Sequence, residues 1–346
     1  MGDSSHAQNA QPVTAAAGST AGKSQRLVFT RLLRDAGIGI ALLLLILFFS
    51  LTTTTFLTPN NLTNIMVQIT INVILAAGMT FVILIGGIDL SVGSVMALAG
   101  VISGTIMTSG VMPDWAAILA AVLCSCAIGA AVGVFNGAVS AWWGIPSFIV
   151  TLGMLNLARG AALQFTQSNT IYNFPSSFNY FGTIDYAGVP ILFLVALAIV
   201  AVGWVLLTKT VFGRMLYAIG NNEEAVRLAG HNTFVYKTAA FAICGFTVGI
   251  AALMYMARLS IASPIMGNGF ELNAIAAVII GGSSLNGGRG SLIGTLLGAA
   301  IIGVLANGLI LIGATDFIRQ MITGGVIILA VILDAYRARL ADRSAA

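Results

Sequence analysis

Few residues in this 346-residue chain have the types and spacing that chemistry needs. One group lies at residues 85–94, IGGIDLSVGS, where paired glycines, the carboxylate of Asp89 and the hydroxyl of Ser91 interrupt an apolar run. A carboxylate at the centre of a membrane helix costs about 2.5–3.5 kcal/mol, so Asp89 does not face lipid. Two readings stay open. Asp89 and Ser91 cap the helix that follows, satisfying its free N–H groups, or the break lines a path for polar cargo. A second interruption, IGGSSLNGGRG at 280–290, repeats the pattern. Each follows an apolar helix with an asparagine near its start, Asn72 or Asn273, and each precedes a helix of small residues. Interrupted apolar segments at corresponding places in two halves point to a transport site. Asn72, Asp89, Ser91 and Asn273 are therefore the pathway residues expected from the sequence. Six helices separate the breaks, so both face the same side and the repeat is parallel.

A third group lies at 208–237, a polar stretch between apolar runs. Residues 223–229 suit a short helix, capped by Asn222 and stopped by Gly230. The acids Glu223 and Glu224 at its amino end and Arg227 further on match the helix dipole. Ala225, Leu228 and Ala229 give it a small apolar face. Such a helix can plug a groove on a cytosolic protein; a plain surface turn is the bland alternative.

Other chemistries are missing. His6 and His231 fall in the leader and the polar stretch, without a serine or cysteine partner, and no metal-ligand spacing appears. Cys124, Cys126 and Cys244 lie inside apolar runs and read as small buried hydrophobes. The string AGSTAGKS at 17–24 fits a permissive phosphate-loop pattern, but no strand precedes it to aim backbone N–H groups at phosphate. It is a chance match. No cofactor or metal is expected on the chain itself.

The elements that position these groups follow from composition. The chain is 58% hydrophobic and 8% charged, against about 25% charged in a soluble domain, and its mean hydropathy is +0.99. Its surface must meet lipid. The net charge of +4 is spread between apolar runs, not gathered on the basic face that nucleic acid needs. A helix crossing the bilayer core takes about 20 apolar residues. Ten spans qualify: 36–56, 65–85, 90–109, 115–140, 147–167, 190–207, 238–257, 271–283, 291–312 and 317–335. The eighth is too short to cross as one straight helix. An all-α polytopic membrane protein of about ten helices is expected.

With both termini in the cytoplasm, twelve of the fifteen basic residues fall inside, as the positive-inside bias requires. Arg159, Arg258 and Arg319 remain, near outer helix ends where arginine snorkels. The loop 168–189 lies outside and is long enough to meet an external partner. Residues 1–35 read as a disordered cytoplasmic leader with a basic end and no secretory signal, 36–336 as the transmembrane domain, and 337–346 as a cytoplasmic tail. The pairs Gly129/Gly133, Gly133/Gly137, Gly290/Gly294 and Gly294/Gly298 let helix backbones approach closely.

The string EAVRLAG at 224–230 resembles the "EAA…G" loop of ABC importer permeases. The wider strings GRMLYAIGNNEEAVRLAG, GMTFVILIGGIDLSVGS and ELNAIAAVIIGGSSLNGGRGSLIGTLLGA resemble the ribose-type permeases of the second carbohydrate uptake family, over roughly residues 36–336. Val226, where the loop pattern has a second alanine, and His231, where an apolar residue is common, are the departures. The resemblance implies a homodimer or heterodimer in the bacterial inner membrane that imports a sugar by alternating access. It also implies a cytosolic ATPase of two fused domains that binds ATP and magnesium, and a periplasmic sugar-binding protein. Asn222, Glu223, Glu224, Ala225, Arg227, Leu228 and Gly230 then couple the permease to the ATPase. Ribose or another pentose is the first expected cargo, with inositol or another sugar as the alternative. The rival class is a secondary transporter driven by an ion gradient, for which the spans offer few protonatable groups.

Overall fold

The computed structural model describes residues 37–343, so the leader, its basic residues and the string at 17–24 lie outside the described residues. The apolar helices are α1 (Gly37–Thr52), α2 (Pro59–Leu84), α3 (Val92–Thr108), α4 (Asp114–Trp143) and α5 (Ser147–Thr166). After the short α6 (Ser176–Phe181) and a hairpin, β1 (Asp185–Tyr186) with β2 (Val189–Pro190), come α7 (Ile191–Lys209) and α8 (Val211–Leu228). The chain ends with α9 (Thr233–Leu259), α10 (Phe270–Ile280), α11 (Leu292–Leu311) and α12 (Asp316–Arg343). Among the described residues, six helices are long and apolar enough to cross a membrane, and α1, α3 and α10 are shorter apolar helices. At 1.5 Å per residue the 11 residues of α10 reach about 16 Å, which matches the expected short span.

α2 and α9 are buried over most of their length, whereas α4, α5 and α7 leave most of theirs open. Glycine brings the inner helices together. A Cβ on Gly129 would strike the carbonyl of Gly245, and one on Gly133 that of Phe241, so α4 and α9 touch backbone to backbone. Ser125 Oγ donates to Gly249 O across the same seam at 2.8 Å. Gly294 and Gly298 of α11 approach Gly281 O and Ala277 O in the same manner. The glycine stripes pack helices, since no hydrophobic force separates helix from lipid and only close fit selects partners.

α2 and α11 run antiparallel, clasped by buried polar pairs near both ends. Asn61 and Asn307 exchange side-chain hydrogen bonds of 3.0 Å each way, and Thr80 and Thr295 share one of 2.8 Å. The polar stretch at 208–237, expected to be a loop with one short helix, is mostly helical, and α9 starts at Thr233 and not at 238. α12 continues to Arg343. The three arginines expected to snorkel have protein partners instead. Arg159 Nη1 donates to Pro264 O at 2.6 Å and Met266 O at 3.0 Å, Arg258 Nη1 donates to Val67 O at 3.4 Å, and Arg319 pairs with Asp316.

Candidate functional site: where two breaks meet a surface helix

The first break starts as α2 ends. Gly86 adopts φ +73°, which glycine tolerates and other residues rarely do, and turns the chain back into the bundle. Its backbone is then held by side chains of α5. Ser147 Oγ accepts from Ile88 N at 2.9 Å, and Thr151 Oγ1 accepts from Leu90 N and donates to Ile88 O, both at 3.1 Å. Asp89 is 2% exposed. Its Oδ1 accepts from Ser91 N at 2.9 Å and Ser91 Oγ at 2.6 Å, and Asn136 Nδ2 of α4 donates to Ser91 Oγ at 3.0 Å. Asp89 and Ser91 thus form a buried turn just before α3; Ser91 stands at the cap position, but its side chain accepts from no N–H of the helix's first turn.

The second break, residues 281–290, is built from backbone. Gly282, Gly287 and Gly288 all have positive φ. Ser284 N donates to Arg289 O at 2.9 Å and Gly287 N to Ser284 O at 3.0 Å, closing a compact loop. That loop meets the first break directly, with Gly288 N donating to Leu84 O at 2.8 Å. A Cβ on Gly287 would sit 2.8 Å from Gly86 N and 3.0 Å from Gly220 Cα. Both breaks therefore face the same end of the bundle, as the parallel arrangement requires.

Gly220 belongs to α8, whose two parts have different tasks. Residues 211–221 form a helix started by Thr210, whose Oγ1 accepts from Gly213 N at 3.3 Å, and bury Gly213, Leu216 and Ile219 on one face. Asn222 leaves helical geometry, with φ −161° and ψ 94°. Its Oδ1 accepts from Ala225 N at 2.9 Å, capping a new turn over 223–228. Gly230, at φ +84°, ends it, with its N–H donating to Arg227 O at 3.0 Å. The helix expected from the sequence is present, with the expected cap and stop.

Its exposure differs from expectation in one respect. Ala225, Leu228 and Ala229 face solvent, Leu228 at 79% exposed. Val226 points inward and joins the hydrophobic core. Val226, one of the two departures from the loop pattern, roots the turn in this chain. Glu224 pairs with Arg227 on the surface, and that hydrogen bond raises the Arg227 pKa. Glu223 pairs with Lys237 of α9 at 3.0 Å. A cavity of about 580 Å³ opens beside the turn, lined by Gly86, Ser147, Glu223, Arg227 and Lys237 among others. Surface helix, first break and the starts of α5 and α9 thus share one water-accessible space.

The structure brings Asp89 and Ser91 together and keeps Asn72 and Asn273 apart from them. Asn72 is half-buried in α2 with an unpartnered Oδ1; Asn273 is half-buried in the first turn of α10. Neither bonds Asp89 among the described residues. Sequence reasoning missed three participants: Arg159, Tyr217 and Asn221. Arg159 clamps the run of turns at 264–269 that precedes α10, near Glu271, whose Oε1 accepts from Gly269 N at 3.2 Å. An arginine inside an apolar span with a carboxylate near a helix start was the signal available. Among the described residues no cluster of His, Cys, Asp and Glu could hold a metal.

Broken, glycine-seamed apolar helices around a surface turn fit an all-α membrane protein of several crossings. The chain belongs to the family described as branched-chain amino acid transport system / permease component, whose model matches residues 61–331, and within it to the ribose-type ABC permeases. It is 41% identical over 299 residues to the ribose import permease protein of Escherichia coli (strain K12), spanning 85% of this chain and 92% of that one. It is 38% identical over 288 residues to the D-allose transport system permease protein of the same strain, spanning 83% and 87%. It is 34% identical over 310 residues to the L-arabinose ABC transporter permease protein of Azospirillum brasilense, spanning 89% of each. No solved structure matches it.

Proposed function

We propose that this chain is the membrane-spanning subunit of an ATP-driven monosaccharide importer in a bacterial inner membrane, with ribose the first cargo to test. Identity to sugar permeases along nearly the whole chain carries this reading. Ten crossings with both termini in the cytosol agree with the scatter of basic residues. The end where the two breaks meet is then cytosolic, and the turn at 223–228 is the coupling helix.

On this reading the chain hydrolyses no ATP. A partner ATPase with two fused domains binds ATP and magnesium and seats the exposed Ala225 and Leu228 in a groove, with Glu223, Glu224 and Arg227 at its rim. Asn222 and Gly230 fix the two ends of the helix. Two permease chains, identical or related, enclose the path, and a periplasmic binding protein delivers the sugar. Alternating access follows as ATP draws the coupling helices together. Asp89 and Ser91 shape the break beside the path; Asn72 and Asn273 are the amides nearest to a role in it.

The test is uptake by proteoliposomes holding the chain, its ATPase and its binding protein, offered ribose, allose, arabinose, galactose and inositol separately. Accumulation of one of these with ATP and magnesium, and none with an ion gradient alone, is the expected result. Accumulation on a gradient without ATP would assign the chain to the secondary transporters.

A further inference from the structure

We infer that the membrane-side half of α8 transmits the coupling helix's motion to the second break, through Tyr217, Gly220 and Asn221, and that these are positioning residues for transport. The inference rests on the reading above and goes beyond the helix at 223–228, which touches the partner but not the second break.

Three contacts join this half of α8 to the second break. Tyr217 OH donates to Gly290 O at 2.9 Å. Asn221 Nδ2 donates to Tyr217 O at 2.8 Å and reaches Gly288 O at 3.4 Å. Between them Gly220 lies so close that a Cβ would strike Leu84 O and Gly288 N. Tyr217, Gly220 and Asn221 stand at i, i+3 and i+4, so they share one helical face. That face holds the carboxyl-terminal end of the loop, at Gly288 and Gly290.

The join is close-packed, with Gly220 against Gly288 and Leu84. Beyond Asn221 the backbone leaves helical geometry at Asn222, but Val226 is buried and the Glu223–Lys237 pair ties the turn to α9. A push on 223–228 reaches 211–221 through the backbone at Asn222, and reaches α9 through the Glu223–Lys237 pair. Close-packed backbone in contact has no side chain to yield, so displacement passes on with little loss. The second break leads straight into α11, through Ser291, whose Oγ accepts from Gly294 N at 3.3 Å. Movement of the loop thus moves the start of a membrane helix. The first break's side-chain hydrogen bonds to other helices include those to Ser147 and Thr151 of α5 and to Asn136 of α4.

The experiment measures sugar accumulated and ATP hydrolysed in the same proteoliposomes, using the sugar the unaltered chain transports. Tyr217→Phe removes one oxygen and keeps the ring; Asn221→Ala removes the second tie. Thr208→Val, on α7 and bonded only to Trp204 O, is the control. Each of the first two is expected to lower sugar moved per ATP at least three-fold, with the assembled complex recovered at the unaltered level and ATP still hydrolysed; Thr208→Val leaves the ratio unchanged. An unaltered ratio in both Tyr217→Phe and Asn221→Ala overturns the inference, as does uptake falling only in proportion to ATP hydrolysis. Failure of the unaltered chain to use ATP at all would instead strike the parent reading.

Discussion

At the first break, residues 85–91, the loop hangs from side chains: Ser147 and Thr151 of α5 hold its backbone, and Asn136 of α4 holds Ser91. At the second, residues 281–290, backbone and side chains share the hold: Gly288 N bonds Leu84 O, the main chain of Gly220 presses against the loop, Tyr217 and Asn221 of α8 bond Gly290 O and Gly288 O, and Asp334 of α12 accepts from Leu285 N. The two strings look alike, paired glycines followed by small polar residues, yet one is anchored in the bundle and the other is seated on the surface-helix element. Similar composition supplies the turn in both; the neighbours decide which elements hold it.

Valine at Gly287 breaks the second loop most severely. Its φ of +84° costs a side-chain-bearing residue about 1–2 kcal/mol, and contacts at 2.8–3.0 Å on Gly86, Gly220 and Leu84 add about 1–3 kcal/mol of overpacking. A drop in membrane-inserted protein, with a lower melting temperature in detergent, is expected. Threonine 151 sharpens the contrast at the first loop. Thr151→Val keeps the shape and orphans the N–H of Leu90 and the carbonyl of Ile88, costing about 1–3 kcal/mol. Ser147→Ala costs less, about 0.5–1.5 kcal/mol, because Ser147 lines the open cavity and water can replace it. Equal effects of Ser147→Ala and Thr151→Val on the melting temperature would show that the first loop is solvated throughout.

Much of this was legible in the sequence. The spans at 147–167 and 291–312 fall within a residue or two of α5 and α11, because apolar length and flanking Pro146 or Ser291 set their ends. Asn222 and Gly230 marked the surface helix, since a side-chain acceptor and a residue free to take positive φ are local requirements. What stayed hidden was tertiary. Residues 211–221 read as loop because Arg214, Asn221 and the glycines dilute their hydropathy, whereas the helix is secured by burying Leu216 and Ile219. Val226 stood out only as a departure from the loop pattern, and it is the rotation of the turn that places it inward. Arg159 looked like a snorkelling residue, and only the return of the chain at 264–266 gives its guanidinium two carbonyls.

The account stands on the turn at 223–228 facing the cytosol and meeting an ATPase there. Leu228 is the residue to mark, being exposed and bonded through its side chain to nothing. In a chain with Cys124, Cys126 and Cys244 replaced, Leu228→Cys should react with a membrane-impermeant maleimide in inside-out vesicles, not in intact spheroplasts, and bound ATPase should slow the reaction at least several-fold. Labelling of Leu228→Cys from the outside of intact spheroplasts would contradict the account.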